Sequence, residues 1–444
     1  MRGRSTLILL VLAAGFGAYL YFVDAKKPAA DATIKPKVFN YETAKVDQIE
    51  VKSAAGEVTA LKKEPGGWVI TKPTPGPADQ TNASEIATSV ATLDQDRVVD
   101  ENPTDLKPYG LDPPRLEVTF NVSGDKDPKR LLVGDKAPTG MGMYAKLPND
   151  KRVLLVTNQL DFSLNRSTFD LRDKTALKFD ATKIDTVELT GKGQTIRLTK
   201  TGDEWKIVKP IETAADLTAV EGLIGQLQAA QMTSLKDKPE DVKDLKAYGL
   251  DKPDATVALS GGGSNVVFQI GGNADPTRIW ARDAAKPAVF TLTSSIADAL
   301  KKTVNDFRRK EVFDFRPFNA TRFEIARGKD VKVFERVKGS GANATDTWKQ
   351  TTPAVKTVDA GSLEGALMSF SDLRADAFVD AAPAAANNPS VTVTVTFDEG
   401  KRHETVKFGG SPTDMFAVRS DRPGAMKLEL GKLDEALKKL DALK

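Results

Sequence analysis

Apolar positions recur along the chain in three blocks that share one order. In each block a turn leads into a Trp-led alternating segment, an amphipathic helix follows, and further alternating segments run to a second amphipathic helix. Apolar residues in the first helix are spaced by three and four, which places them on one helix face. They are Ile86, Val90 and Leu93, then Val220, Leu223, Ile224 and Leu227, then Leu363, Leu367 and Phe370. The pattern predicts one helix packed on a sheet in each block.

The predicted strands show the two-residue alternation of apolar and polar side chains that is typical of β-structure. The run VTVTVTF, from Val391 to Phe397, alternates strictly, so its valines and Phe397 are expected to face the core. GGGS, from Gly261 to Ser264, separates two such segments and predicts a hairpin turn. Apolar residues also mark the closing helix of each block: Leu160 and Leu164, then Ile296, Leu300 and Val304, then Leu433, Leu437 and Leu440. These features predict an α+β fold of antiparallel sheets packed with helices.

Landmarks at nearly equal intervals indicate that the blocks are tandem repeats. Trp68, Trp205 and Trp348 each follow a polar or Gly-rich turn, and we expect them to be core anchors rather than sugar-stacking rings. Gly134, Gly271 and Gly409 each precede a loop that leads to an aromatic residue, namely Tyr144, Trp280 or Phe416. The predicted domains are residues 38–178, 179–316 and 317–444, the last a degenerate copy.

One decapeptide occurs almost unchanged in two of the repeats. DLKPYGLDPP runs from Asp105 to Pro114, and DLKAYGLDKP from Asp244 to Pro253, whereas the third repeat carries AAPAAANNPS. Glycine permits a positive φ at a turn, and proline fixes the entry to a strand, so a structural turn is the favoured interpretation. The alternative is that Asp112 and Asp251 are paired catalytic acids.

The N-terminus contains an apolar segment. Leu7 to Val23 is uncharged and follows Arg2 and Arg4, which predicts a transmembrane helix within an anchor of residues 1–24. A cleaved signal peptide is the rival interpretation. Residues 25–37 form a predicted linker. We expect a single-pass protein of the inner (cytoplasmic) membrane, with most of the chain on the periplasmic or extracytoplasmic side.

Composition excludes several classes of function. The chain has 64 Lys and Arg against 61 Asp and Glu, so no nucleic-acid partner is predicted. It has no cysteine and a single histidine, His403, which is expected to be a surface residue. No GxSxG nucleophile motif is present. We therefore predict no catalytic, cofactor-binding or metal-binding residues. The basic run KKTVNDFRRK, Lys301 to Lys310, is expected to be a solvated helical face.

The combined motifs resemble a known family. The order is a hairpin Trp, a helix, YGLDxP, strands, VGD followed by an aromatic, and LRDK, all behind one N-terminal apolar segment. This order is similar to that of a bacterial family catalogued as domain of unknown function 4340. The resemblance covers about residues 38–316 well and the third repeat loosely. It implies an envelope location and association with a gliding-motility-like ABC transport complex, and it supplies no catalytic residues.

Two hypotheses of function follow. The first is a membrane-anchored, non-catalytic binding or scaffold protein, for which Tyr144, Trp280 and Phe416 are the candidate partner-binding residues, because interface energy concentrates in a few large side chains. Its partner would be an ABC-type membrane complex or another envelope protein. The second is an envelope hydrolase, glycosidase-like, that uses Asp112 and Asp251.

Overall fold

The computed structural model describes residues 35–191, 193–339, 345–384, 388–411 and 414–443. The predicted membrane anchor, residues 1–24, lies outside these residues. Within the described ranges, no helix combines the length and the apolar character that crossing a membrane requires.

The described part of the chain forms three sheets of nine antiparallel strands. The strand order is the same in all three sheets, which confirms the predicted α+β class and the three repeats. One compact unit ends at Lys174. The other begins at Thr175 and contains the second and third sheets.

The first repeat shows the common topology. Its sheet has the order β4-β3-β2-β1-β6-β7-β8-β9-β5. The strand that follows the first helix therefore crosses to the far edge, where it pairs with the last strand. The elements are β1 (Val46–Lys52), β2 (Val58–Glu64), β3 (Gly67–Lys72), β4 (Gly76–Pro77), α1 (Gln80–Ala91), β5 (Arg97–Asp100), β6 (Leu116–Val122), β7 (Lys129–Lys136), β8 (Met143–Lys146), β9 (Val153–Val156) and α2 (Gln159–Leu164).

The second repeat has the same elements and one additional short helix. They are β10 (Thr186–Gly191), β11 (Gln194–Thr201), β12 (Glu204–Lys209), β13 (Thr213–Ala214), α3 (Leu217–Gln228), β14 (Ser234–Lys236), β15 (Ala255–Gly261), β16 (Ser264–Asp275), β17 (Arg278–Asp283), β18 (Val289–Thr293), α4 (Ser295–Leu300) and α5 (Val304–Phe307). Gly261 pairs with Ser264, which confirms the predicted hairpin turn.

The third repeat also forms nine strands, although it lacks the YGLD sequence. Its elements are β19 (Ala320–Arg327), β20 (Asp330–Val337), β21 (Thr347–Thr352), β22 (Lys356–Val358), α6 (Ala360–Ser371), β23 (Ala375–Val379), β24 (Val391–Phe397), β25 (Arg402–Ser411), β26 (Asp414–Val418), β27 (Ala425–Leu428) and α7 (Lys432–Asp441). The alternation of β24 is confirmed, because its valines and Phe397 are buried while its threonines are partly exposed.

Each repeat has one main apolar core between one face of its sheet and its helices. The apolar residues predicted for the first helices are all buried there. Trp68, Trp205 and Trp348 are 4%, 3% and 1% exposed, which confirms that they are core anchors. An aspartate begins each of α1, α3 and α6 by accepting a hydrogen bond from the backbone N–H three residues later.

The basic run Lys301 to Lys310 does not form the predicted solvated helix. Only Val304–Phe307 is helical, and Phe307 and Arg308 are buried. Arg308 forms an isolated β-bridge with Ala215, at the start of α3, so the chain is extended at that point. The prediction was wrong because this tertiary pairing, rather than the local helical period, determines the conformation.

Candidate functional site

The two YGLD sequences form equivalent turns. Short 3-10 turns, Lys107–Tyr109 and Leu245–Tyr248, end at Gly110 and Gly249, whose φ angles are 64° and 68°. This left-handed conformation favours glycine. The leucine that follows each glycine is buried. The turn chemistry predicted from the sequence is therefore present in both repeats.

Each turn packs against a glycine of a neighbouring strand. A Cβ atom added to Gly134 would lie 2.0 Å from the backbone oxygen of Tyr109. In the second repeat, a Cβ atom on Gly271 would lie 2.2 Å from the backbone oxygen of Tyr248. Any side chain at these positions would overlap the turn. This contact explains physically why the YGLD sequence and the later glycine occur together in these repeats.

The candidate partner-binding residues Tyr144 and Trp280 lie on β8 and β17, and their rings pack against the tyrosines of these turns. The rings of Tyr109 and Tyr144 are 5.1 Å apart between centroids, and those of Tyr248 and Trp280 are 4.7 Å apart, both edge to face. All four residues are half-buried. The structure thus forms the same aromatic pair in two repeats, and each pair keeps part of its surface open to solvent.

Hydrogen bonds hold the tyrosine of each pair. The Tyr109 hydroxyl donates to Asp100 at 3.0 Å, and this bond raises the pKa of Tyr109. The Tyr248 hydroxyl donates to the backbone oxygen of Asp241 at 2.6 Å, and burial raises the pKa of Tyr248. Both phenols are therefore neutral at physiological pH, and they position the rings rather than carry charge.

Phe416, the third member of the predicted series, differs from the other two. It is only 7% exposed and packs beside Ala425, Val379, Ala382 and Val418 in a small apolar cluster. Little of this ring is available to a partner, because the third repeat lacks the YGLD turn and fills the region with aliphatic side chains.

The residues of the alternative hydrolase hypothesis belong to different repeats. Asp112 belongs to the turn of the first sheet and Asp251 to the turn of the second, and both are exposed. His403 is exposed on β25, as predicted. Among the residues that the structure describes, no cluster of three His, Asp or Glu side chains could hold a metal ion.

A buried ionic cluster in the third repeat was not predicted. The Arg419 guanidinium donates to Glu404 at 2.5 Å and to Asp314 at 2.9 Å, and it also pairs with Asp421. Arg422 donates to Asp314 at 2.7 Å. Glu404 also accepts hydrogen bonds from the backbone N–H groups of residues 314 and 315. The cluster thus attaches the segment that enters the third repeat to β25.

Protonation in this cluster follows from burial and neighbouring charge. Burial opposes the ionisation of Asp314, but Arg422 and Arg419 outweigh it and lower the pKa of Asp314. Burial raises the pKa of Glu404, and hydrogen bonds from backbone N–H groups and the charge of Arg419 counteract part of this rise. Burial opposes the charge of Arg419, but its carboxylate partners together outweigh burial and raise the pKa of Arg419, so it remains protonated.

The sequence contains a signal for this cluster. Glu404, Val406 and Phe408 alternate on the buried face of β25, and a carboxylate on such a face requires a partner. The equivalent strand position carries Val266 in the second repeat and Lys129 in the first. A carboxylate at this position is thus specific to the third repeat, and a comparison of the repeats could have revealed it.

A polar cavity of about 260 Å³ lies beside this cluster, between the second and third repeats. Its charged groups neutralise one another. Arg374 lies 2.6 Å from Glu311 and 3.8 Å from Asp216, and Arg309 lies 3.5 Å from Asp314. Because these cations already have carboxylate partners, the cavity is best described as an ionic junction and not as an anion-binding site.

The fold and its turns define a three-repeat α+β protein whose repeated motif is a packing element. The chain belongs to the family described as Domain of unknown function (DUF4340), which matches residues 68–206 and 205–391. The resemblance inferred from the motifs is therefore confirmed. Each matched segment begins at the Trp of a repeat, which lies in the third strand of its sheet. The boundaries of the family model therefore do not coincide with the boundaries of the sheets.

Other comparisons add little. No curated protein matches the chain. Among solved structures, a DNA polymerase sliding clamp from Pseudomonas aeruginosa is 7% identical, covers 88% of this chain and 93% of its own, and has a TM-score of 0.17. A putative DNA polymerase III beta subunit from Eubacterium rectale is also 7% identical, with 87% and 91% covered and a TM-score of 0.14. Scores this low establish no common fold.

Proposed function

We propose that this protein is a membrane-anchored, non-catalytic binding or scaffold protein of the bacterial cell envelope, accessory to an ABC-type transport complex. The observation that carries the proposal is the repeated aromatic pair, Tyr109 with Tyr144 and Tyr248 with Trp280. A closely packed turn supports each pair, and half-buried aromatic rings with open faces are frequent energetic centres of protein interfaces.

The N-terminal sequence supports the proposed location. The apolar run from Leu7 to Val23 would hold the protein in the inner membrane, with the repeats on the periplasmic side. The proposed linker, residues 25–37, would span at most about 45 Å when extended, so the first repeat would stay near the bilayer and its transport proteins.

Photo-crosslinking tests the proposed interface without removing the ring at either position. We expect p-benzoylphenylalanine at position 144 or 280, incorporated into the full chain in cells, to crosslink to a subunit of an ABC-type membrane complex. The double change Tyr144→Ser and Trp280→Ser should abolish copurification of that complex while the protein stays folded by circular dichroism.

Two control positions make the test specific. Val355 is 75% exposed in the third repeat and should give no crosslink to the same subunit, and buried Phe416 should give none either. The proposal is wrong if position 355 crosslinks as efficiently as 144 and 280, or if no membrane subunit is captured from either aromatic position.

A further inference from the structure

A cavity of about 280 Å³ with an aliphatic inner wall lies in the second repeat, between the sheet and the closing helix α4. Seven aliphatic side chains form its inner wall, and each is at most 5% exposed. They are Leu189, Ile196, Ala255, Ile270, Ile279, Ala297 and Leu300. The rim is polar and includes Asp254, Asn273 and Lys302.

In the first repeat, three charged side chains fill the equivalent space between the sheet and the closing helix. Asp161, on the closing helix α2, lies 2.9 Å from Arg115 and 2.8 Å from Lys136. Arg115 is at the start of β6 and Lys136 at the end of β7, so the ionic contacts tie the helix to the sheet. The Asp161 side chain is only 12% exposed, so the triad fills the space between the helix and the sheet.

The repeat alignment places three smaller residues at these positions. Leu160 and Leu164 align with Ile296 and Leu300, which puts Ala297 at the position of Asp161. The YGLD turns and the following strand glycines align Arg115 with Asp254 and Lys136 with Asn273 in the same way. Ala297, Asp254 and Asn273 all line the cavity. The cavity therefore exists because the second repeat has shorter side chains where the first has the triad.

A second set of contacts differs in the same way. In the first repeat, the hydroxyls of Thr59 and Thr168 are 2.7 Å apart, between β2 and the segment after α2. In the third, Asp441 of α7 accepts from Arg327 at 2.7 Å and from Lys332 at 3.0 Å. Thr59 and Lys332 both align with Ile196, an apolar wall residue. Polar bonds thus join this part of the sheet to the closing helix in the third repeat and to the segment after the closing helix in the first. The second repeat instead has the aliphatic Ile196 facing the cavity.

The chemistry of the cavity defines the ligand class. Apolar cavities of roughly 150 Å³ bind small apolar molecules, so this larger one has room for an aliphatic chain. At the rim, Lys301 is engaged with Asp298 at 3.4 Å. Lys302 forms no ion pair within the described part of the chain, and its ammonium lies 5.5 Å from the Phe307 ring. We propose that this cavity binds an aliphatic molecule with an anionic head, the chain between the sheet and α4 and the head at Lys302.

Calorimetric titration of the full chain in lipid nanodiscs tests this site, with empty nanodiscs titrated in parallel. The probes are octanoate, octanol and octylamine, which share one chain length and differ in the head. We expect octanoate to bind most tightly. Lys302→Gln should weaken octanoate binding about tenfold and leave octanol binding unchanged, because it removes one charge-assisted contact.

Two further variants complete the experiment. Ala297→Phe should fill the cavity and abolish binding of all three probes. Lys301→Gln changes the neighbouring lysine, and this variant should bind octanoate like the unaltered chain. Thermal melts check that each variant folds. The proposal is overturned if octylamine binds more tightly than octanoate, if Lys302→Gln and Lys301→Gln behave alike, or if folded Ala297→Phe still binds octanoate.

Discussion

At the residue scale, the third repeat depends on a few buried charges. Arg419 and Glu404 have side chains that are each 3% exposed, and Asp314 is 15% exposed. Removing water from such groups is costly unless every charge has a partner. The cluster meets this requirement, and it simultaneously orders the backbone of residues 312–315, whose apolar side chains belong to the core of the third repeat.

The charge of Asp314 should make the second unit sensitive to acid. Because its pKa is lowered in the folded state, its contribution is complete above its unfolded value of about 4 and is lost as pH falls through the folded pKa. Asp314→Asn should therefore reduce the free energy of unfolding by about 2 kcal/mol near neutral pH. The difference from the unaltered protein should shrink in acid, as measured by urea unfolding across the pH range.

Asp298 provides the matched control. Its side chain is 81% exposed and pairs with the exposed Lys301, so Asp298→Asn should change the free energy of unfolding by less than about 0.5 kcal/mol. An equal loss of stability for Asp314→Asn at neutral and acidic pH would contradict the role assigned to its ionised form.

At the element scale, the YGLD turn and the glycine of the next strand form one packing unit. Because Gly271 has no side chain, the turn lies close against its strand. A Cβ atom at position 271 would overlap the backbone oxygen of Tyr248. A backbone atom cannot move away as a flexible side chain can. The turn also places Tyr248 beside Trp280, so the same contact supports the aromatic pair.

The same substitution at two glycines should have opposite effects. Gly271→Ala should destabilise the protein by about 1–3 kcal/mol, because it overpacks the contact with the turn. Gly225→Ala should stabilise it by about 0.4–1 kcal/mol, because Gly225 is an exposed position of α3 with nothing within 4 Å of an added Cβ. Thermal unfolding of both variants measures the difference, and destabilisation by both would refute the packing argument.

At the scale of the whole molecule, the second and third repeats belong to one compact unit. Arg308 connects them: its guanidinium lies 4.1 Å from the centre of the Phe378 ring and donates to the backbone oxygen of Pro423 at 2.6 Å. Arg374 adds an ion pair of 3.8 Å with Asp216. The first repeat forms a unit of its own that ends at Lys174.

The two units should fold independently. We expect fragments 35–174 and 175–443 to unfold cooperatively when produced separately, since each contains at least one complete apolar core. Differential scanning calorimetry should show each fragment melting at the temperature of the corresponding transition in the full chain. A non-cooperative melt of either fragment would show that the division at Lys174 is not a folding boundary.

The sequence by itself determined the local elements and the repetition. Spacings of three and four identified the buried faces of α1, α3 and α6, and strict alternation identified the buried face of β24, because these periods follow directly from helix and strand geometry. The repeated Trp and YGLD landmarks were sufficient for the fold class and for the family.

Only the tertiary structure decided which distant segments meet. The pairing of β5 with β9, the burial of Arg308 and the cluster around Arg419 each join residues far apart in the chain. A local period shows that a side chain is buried, but it does not name the partner that the side chain meets. For the same reason, only the packed structure shows that the rings of Tyr144 and Trp280 contact Tyr109 and Tyr248. Only the packed structure shows the cavity where Ala297 stands in place of a paired carboxylate.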